Sequence, residues 1–161
     1  MAAKENILER LRANIGERFE MPNIAINAIH YDNVVEKFAE TCRTVSGADV
    51  VMGTPAEEDE RGETSTVHGD IGVAENGCIW IPQREADRSF LFRSEHLNII
   101  VKASDIVSNM HEAYARISES EEYFKDYKYG TFISGPSKTA DIEGALVYGA
   151  QAARSVTVFI E

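Results

Sequence analysis

Apolar residues recur along this chain at two spacings, and each spacing predicts a different kind of element. An apolar side chain at every third or fourth position indicates a helix with one buried face. This pattern predicts a helix over residues 4–19, a second that starts at Asp32 or Asn33 and ends at Gly47, and a third that starts at Ser104. The second and third predicted helices begin at Asp32 or Asn33 and at Ser104, whose side chains can accept hydrogen bonds from the first backbone N–H groups of a helix.

Short alternating or continuous apolar runs predict strands between these helices. Asn76 and Gly77 separate two such runs, and Asn-Gly is a strong signal for a two-residue hairpin with Glu75 at its tip. Strands that alternate with helices indicate an α/β fold. The predicted strands cover residues 48–52, 70–74, 78–82, 96–102, 129–134 and 155–160, with a shorter one within residues 23–30.

Length and composition predict one domain over residues 1–161. Apolar residues make up 43% of the chain and charged residues 27%, which is typical of a soluble globular protein. No apolar run approaches the roughly 20 residues that span a bilayer, and the first residues contain no apolar secretory core. We therefore expect a cytoplasmic domain with no membrane partner, an N-terminal helical arm over residues 1–22 and a flexible acidic loop over residues 54–67.

The net charge argues against nucleic acid as a partner. The chain carries a net charge of −11, and its lysines and arginines are scattered rather than gathered in a basic patch. A polyanion would be repelled by this field, because nucleic-acid binding depends on clustered cations.

The chain has two cysteines, Cys42 and Cys78, which are far apart in sequence. An iron–sulfur cluster needs about four thiolates, so this chain alone cannot hold one. Both cysteines lie in apolar patterns and are predicted to be core thiols without a disulfide. The histidines show no zinc-ligand spacing, so no metal site is predicted.

A polar segment after the predicted strand at 129–134 is the main candidate site. Its sequence from Gly135 to Gly144 is Gly-Pro-Ser-Lys-Thr-Ala-Asp-Ile-Glu-Gly. In one interpretation, Ser137, Lys138, Thr139 and the N–H groups of a new helix hold a carboxylate or phosphate. In the other, these residues only cap that helix. Spacing alone supports both equally.

The carboxylates of this segment complicate anion binding. Asp141 and Glu143 would repel an anion unless they point elsewhere or bind hydroxyl groups of the ligand. The segment also lacks the glycine that precedes Lys-Thr in a phosphate-binding P-loop, and it does not match the nucleophile elbow of serine hydrolases.

Two further sets of residues have candidate chemistry. Glu75, at the predicted hairpin tip, could act as a general base or nucleophile if it were desolvated, or it could be a solvated turn residue. Arg84, Arg88 and Arg93 precede a predicted strand, and their guanidinium groups could bind a carboxylate or simply line a solvated connector.

Three ordered motifs resemble the lactate-utilisation (LUD) domain family, which is typified by LutC. The most specific runs from Ser134 to Glu143 and is similar to Ser-Gly-Pro-Ser-x-Thr-Ala-Asp-Ile-Glu nearly position for position. The string over residues 71–81 resembles the Ala-Glu/Asp-Thr-Gly-Thr hairpin of the family and the apolar strand after it. Residues 88–101 resemble its Arg-x-x-Ser-Leu-Leu … His-Ile-Val-Val segment.

The resemblance implies a fold and a role. LUD domains have a three-layer α/β/α sandwich with a mixed, mostly parallel sheet, shared with CoA transferases, ribose-5-phosphate isomerase and glucosamine-6-phosphate deaminase. LutC-like members work with iron–sulfur partner subunits in the oxidation of L-lactate to pyruvate. The resemblance therefore implies a non-redox accessory subunit with no cofactor of its own, whose iron–sulfur clusters lie on partners.

The resemblance also implies site residues, which we expect to face one cleft. The catalytic candidate is Glu75, and the ligand-binding candidates that the resemblance implies are Gly77, Gly135, Ser137, Thr139, Asp141 and Glu143. The residue patterns described above add Arg88 and Lys138 to the ligand-binding candidates.

The chain also departs from the LutC pattern. Asn76 and Cys78 replace threonines, and residues 149–153 replace a Gly-Val-His-Gly-Pro motif. These departures leave open a divergent member with its own ligand, as a stand-alone enzyme or binding protein for a small acidic or phosphorylated metabolite, and a structural domain that has lost its site. A homo-oligomer is a separate open alternative.

Overall fold

The computed structural model describes residues 2–14, 16, 26–55, 63–83, 89–120, 129–141 and 144–161. Its helices are α1 (Ala2–Ala13), α2 (Val34–Thr41), α3 (Phe90–Arg93) and α4 (Met110–Glu119). A π-helical turn, Cys42–Ser46, extends α2 and ends at Gly47, whose φ of 76° is left-handed. The side chain of Asn33 accepts a hydrogen bond from the N–H of Glu36 and so caps the start of α2. The predicted start at Asn33 and the predicted end at Gly47 are both confirmed.

One sheet of the described structure is entirely parallel. Its strands are β1 (Asp49–Met52), β2 (Thr64–His68), β5 (His96–Val101) and β10 (Ser155–Ile160), in the spatial order β1-β10-β5-β2. Strand β10 therefore lies between β1 and β5, in register from Ser155 opposite His96 to Ile160 opposite Val101.

A second sheet has the order β6-β3-β4-β7 and is mixed. Its strands are β3 (Ile71–Val73), β4 (Cys78–Pro82), β6 (Ile106–Val107) and β7 (Gly130–Ile133). Strand β4 is antiparallel to both of its neighbours, whereas β3 and β6 are parallel. A short hairpin of β8 (Lys138–Thr139) and β9 (Val147–Tyr148) completes the described strands.

The main core lies where the parallel sheet, strand β4 and helix α2 meet. Alternate residues of β5 and β10 point into it, as the near-zero exposure of Leu97, Ile99, Val156 and Val158 shows. They pack with Phe38 and Cys42 of the α2 segment and with Ile79 and Ile81 of β4. A smaller cluster joins α4, through Ala113 and Ile117, to the other face of the second sheet.

The predicted fold class is confirmed. The described elements form a layered α/β/α fold, and four of the seven strand pairings are parallel. The strands predicted at residues 48–52, 70–74, 78–82, 96–102, 129–134 and 155–160 correspond to β1, β3, β4, β5, β7 and β10.

Four predictions about elements are wrong. The end of the predicted 54–67 loop is strand β2, which pairs with β5. The third helix starts at Asn109 rather than Ser104, because Ile106 and Val107 first form a strand beside β3. Residues 26–30 form no strand. No helix starts at residues 137–141, because Lys138 and Thr139 form β8.

Several predicted features lie outside the described residues. They are half of the predicted acidic loop (residues 56–62), residues 15 and 17–19 of the first predicted helix, and the residues Arg84, Arg88 and Glu143. Within the described residues, no helix is long and apolar enough to cross a membrane.

Candidate functional site

Three strands of the second sheet end at one edge. Strands β3 and β6 are parallel, and β7 runs the same way because both it and β3 are antiparallel to β4. The loops that leave these three strands therefore gather at the same edge, which is where α/β sheets commonly hold ligands. These loops are the turn at residues 74–77, Ser108 with Asn109, and the segment that starts at Ser134.

The segment over residues 134–137, which we call the signature bend, packs directly on the end of the α2 segment. Gly135 has a φ of 67°, and a Cβ atom built there would lie 2.1 Å from the carbonyl oxygen of Ser46. Only glycine fits this position without displacing the backbone of Ser46. The bend is also tied to the β8–β10 region, since the N–H of Ser137 donates to the carbonyl of Ala153 at 2.9 Å.

Ser46 joins the signature bend to the turn between β3 and β4. Its side chain is buried, and its Oγ lies 2.8 Å from the Oγ of Ser134 and 3.2 Å from the carbonyl oxygen of Asn76. The Oγ of Ser134 donates to the same Asn76 carbonyl at 3.2 Å. The two segments expected to share a site are thus in contact, through a serine that the sequence analysis did not single out.

Gly77 occupies a similarly tight position. Its φ is 67°, and a Cβ atom there would lie 2.5 Å from the Oγ of Ser46. The turn has four residues between Val73 and Cys78 rather than the predicted two, and the N–H of Gly77 donates to the carbonyl of Val73 at 2.9 Å. Gly77 therefore contributes a close backbone approach rather than a side-chain contact.

The carboxylate of Glu75 is directed at helix α4. Its Oε2 accepts a hydrogen bond from the N–H of Met110, the first residue of α4, at 3.0 Å. Its own N–H donates to the carbonyl of Ser108. Glu75 is exposed and places negative charge at the positive end of this helix. This contact accounts for Glu75 structurally, and a catalytic role for it stays a prediction.

The amino group of Lys138 binds two backbone oxygens of the α2 segment. Its Nζ donates to the carbonyl of Ser46 at 2.8 Å and to that of Val45 at 3.3 Å. A lysine near the last carbonyls of a helical segment stabilises that end. Because no helix starts at the bend, the expected cradle of helix N–H groups is wrong, and anion binding by Lys138, which is exposed, stays a prediction.

The remaining members of the motif are partly accessible. The Oγ1 of Thr139 accepts a hydrogen bond from the N–H of Asp141 at 3.2 Å, which forms a local turn. The carboxylate of Asp141 is exposed, and Ser137 is half-buried. The other two predicted ligand-binding residues, Arg88 and Glu143, lie outside the described residues.

Two adjoining hollows lie beside the bend. The first, of about 240 Å³, is called the bend hollow and is mostly apolar. The second, of about 490 Å³, is called the arginine hollow. Phe92 and Ala152 line both of them. The bend hollow is formed by Leu91, Phe92, Leu97, residues 131–137, Ala152, Ala153 and Val156, and the arginine hollow by residues 92–95, residues 148–152 and Arg154.

Comparison with known proteins identifies the family. The family model for the LUD domain matches residues 57–160, which is more than half of the chain. The chain belongs to the LUD-domain family. The signature bend, the β3–β4 turn and both hollows all lie within the matched region.

A solved structure supports the fold of this LUD domain. It is the crystal structure of a DUF162 family protein from Deinococcus radiodurans, with a TM-score of 0.54 and 13% sequence identity. The match covers 79% of this chain and 95% of the other. At this identity the similarity shows the fold alone. No curated protein matches this sequence.

Both thiols of the LUD domain are buried, as predicted. Burial raises the pKa of Cys42 to about 12 and that of Cys78 to about 11. The Sγ of Cys42 lies 3.7 Å from the carbonyl oxygen of Gly77, and that of Cys78 lies 3.5 Å from the sulfur of Met110. Each is therefore a neutral core group at ordinary pH.

A third hollow lies at the carboxyl edge of the parallel sheet. It has a volume of about 540 Å³ and is lined by residues 68–70, Ile100, Lys102, Asp105 and Glu161. The sequence analysis missed it because strand β2, which supplies His68, was assigned to a loop. The position of Asp105 and Glu161 just after predicted strands could have indicated the hollow, because ligands commonly bind beyond the carboxyl ends of parallel strands.

Proposed function

We propose that this LUD domain is a LutC-like, non-redox accessory subunit of a system that oxidises lactate to pyruvate. The observation that carries the proposal is the match to the LUD family over residues 57–160. The burial of Cys42 and Cys78 fits this role, because neutral core thiols are poorly suited to electron transfer or cluster binding. Iron–sulfur clusters would then lie on partner subunits.

The proposal is tested by what the protein binds in its native cell. A tagged chain expressed at its normal level should co-purify with an iron–sulfur protein, detected by its iron and acid-labile sulfide and by mass spectrometry. The control is the tag expressed alone, which should recover no iron–sulfur protein. Recovery of no iron–sulfur protein, from extracts prepared without oxygen, would contradict the proposal.

A second candidate is a stand-alone enzyme or binding protein for a small acidic or phosphorylated metabolite. The observation that favours it is the pair of hollows that adjoin the signature bend, since ligand sites are usually concave and partly apolar. Of the candidate residues, Gly135 and Ser137 line the bend hollow. The described lining of neither hollow includes Glu75, so this candidate does not rely on its carboxylate.

A thermal-shift screen of small carboxylates and phosphate esters tests the second candidate. A ligand should raise the melting temperature of the wild-type chain, because binding to the folded state stabilises it. The double substitution Ser137→Ala with Asp141→Ala should abolish the shift. A screen in which nothing raises the melting temperature would count against this candidate while leaving the accessory role open.

A further inference from the structure

The charge of the arginine hollow is opposite in sign to that of the whole protein. The chain carries a net charge of −11. Among the described residues, the charged groups that line the hollow are the guanidinium groups of Arg93 and Arg154 and the carboxylate of Glu95. Two cations and one anion leave a single positive charge, so this hollow attracts a small anion although the surface around it is acidic.

The two arginines of the hollow have different partners. The Nη1 of Arg154 forms an ion pair with the Oε1 of Glu95 at 3.0 Å, and the backbone N–H of Arg154 donates to the carbonyl of Glu95 at 2.8 Å. Arg93 ends helix α3, and its guanidinium has no ion pair within the described part of the chain. The positive charge left for a ligand therefore lies on Arg93.

The hollow also offers uncharged hydrogen-bonding groups. The lining segment over residues 148–152 contributes the phenol of Tyr148 and the amide of Gln151, both on exposed residues. These groups can bind a hydroxyl or carbonyl oxygen of a ligand whose charged end is held by a guanidinium. Gly149 brings the backbone close to Arg154, since a Cβ atom there would lie 3.1 Å from the Cβ of Arg154.

We propose that Arg93 is the anchoring residue of a binding site for small organic monoanions in the arginine hollow, beside the ion pair of Arg154 and Glu95. This inference rests on the second proposed function, which it deepens. A planar guanidinium can bind a carboxylate through two parallel N–H···O bonds. A monocarboxylate neutralises the one uncompensated positive charge, whereas a phosphate dianion would leave a net negative charge in the hollow of a protein that is already acidic, so we take the former as the ligand class.

The site is open to solvent, which determines the strength of binding. Arg93, Glu95 and Arg154 are exposed, and exposed ion pairs are weakened by water and by salt. We therefore expect weak binding that decreases when the salt concentration rises. The affinity must come from shape and from several polar contacts acting together.

The test is a titration of the full chain with acetate, glycolate and inorganic phosphate at low ionic strength, followed by NMR. Acetate and glycolate should give saturable shifts at Arg93, Tyr148 and Gln151. The substitution Arg93→Gln should lower their affinity about fivefold to tenfold, and Arg93→Lys should lower it less, because lysine keeps the charge but loses the planar fork. Arg10→Gln, on exposed helix α1, is the matched control and should have no effect.

A second substitution separates a binding role from a structural one. Glu95→Gln removes the carboxylate that holds Arg154, so the lining gains positive charge and the affinity for acetate should rise about twofold or more. Loss of structure could not raise the affinity. A higher affinity of the wild-type chain for phosphate than for acetate would overturn the assignment of the ligand class.

The outcomes distinguish this inference from the proposal on which it rests. Equal binding by wild type and Arg93→Gln, with binding lost in the Ser137→Ala and Asp141→Ala double variant, would move the ligand to the bend and overturn the role of Arg93 alone. Absence of binding by any of the three probes would overturn the inference, while a phosphorylated metabolite that raised the melting temperature would keep the second function.

Discussion

At the scale of single residues, Gly135 is the position where the signature bend depends most on having no side chain. We expect Gly135→Ala to lower the free energy of unfolding by about 3 kcal/mol. A left-handed backbone costs an alanine about 1 kcal/mol or more, and its Cβ would overlap the carbonyl oxygen of Ser46. Urea denaturation measures the change.

Gly144 provides the matched control for this substitution. Its φ of 69° is nearly the same, but a Cβ atom built there meets nothing within 4 Å among the described residues. Gly144→Ala should therefore cost only the backbone term of about 1 kcal/mol. Equal losses in the two variants would mean that the contact of the bend with Ser46 contributes nothing.

The buried thiols predict how stability changes in alkaline solution. Burial raises the pKa of Cys42 to about 12 from an ordinary 9.0, so between these values the folded chain holds a proton that the unfolded chain has lost. The contribution of the buried thiol to the free energy of unfolding is fully present below about pH 8. It decreases as the pH rises above about 9, by roughly 1 kcal/mol per pH unit for each such thiol. Denaturation of wild type and Cys42→Ala from pH 8 to 10.5 isolates the contribution of the Cys42 thiol.

The comparison of slopes decides the result, because lysine and tyrosine side chains also titrate in this range. Cys42→Ala should be less stable than wild type at pH 8, and its stability should fall less steeply above pH 9. Parallel curves would show that the thiol titrates alike in the folded and unfolded chains.

Ser46 shows why part of the candidate site could not be read from the sequence. Its hydrogen-bond partners Asn76 and Ser134 lie 30 and 88 positions away. The residues around a serine in a helical pattern do not indicate such distant hydrogen bonds. The family motif indicated Gly135 and Ser137, but the use of Lys138 to bind the carbonyls of Val45 and Ser46 depends on packing.

At the scale of elements, helix α4 is held at its start by more than its cap. The side chain of Asn109 is buried, accepts a hydrogen bond from the N–H of Glu112 at 3.0 Å and donates to the carbonyl of Ile29 at 2.8 Å. We expect Asn109→Ala to cost about 2–3 kcal/mol, since it removes the cap and leaves a backbone carbonyl without its partner. Urea denaturation with far-UV circular dichroism measures this.

Asn33, the cap of α2, is the control for that prediction. It is exposed, and among the described residues its side chain makes hydrogen bonds only with Glu36. Asn33→Ala should cost about 1 kcal/mol or less, because water can replace the lost partner. A cost equal to that of Asn109→Ala would show that the contact with Ile29 is unimportant.

Elements with a strong apolar pattern were predictable, and elements held by pairing were not. Strands β4, β5 and β10 repeat apolar residues over five or six positions and were predicted within one residue of their bounds. Strand β2 has only Val67 facing the core, and it forms because it pairs with β5. Strand β8 forms likewise by pairing with β9, which replaced the helix expected after the bend.

At the scale of the whole molecule, strand β10 holds the parallel sheet together. Strand β10 pairs with β1 on one side and β5 on the other, and its inward side chains Val156, Val158 and Ile160 are each 1% exposed. The parallel sheet therefore joins segments separated by about a hundred residues. Helix α1 is the opposite case, because all of its described side chains are exposed, including Ile7 and Leu11.

This contrast predicts unequal effects of removing the two ends. A chain that starts at residue 16 should keep a cooperative transition and change its melting temperature by less than about 2 °C, because α1 buries little surface. A chain that ends at residue 154 should lose the cooperative transition, because β1 and β5 would face each other without a strand between them. Calorimetry of both chains tests this. A large drop in melting temperature without α1 would show that the helix packs on the domain in solution.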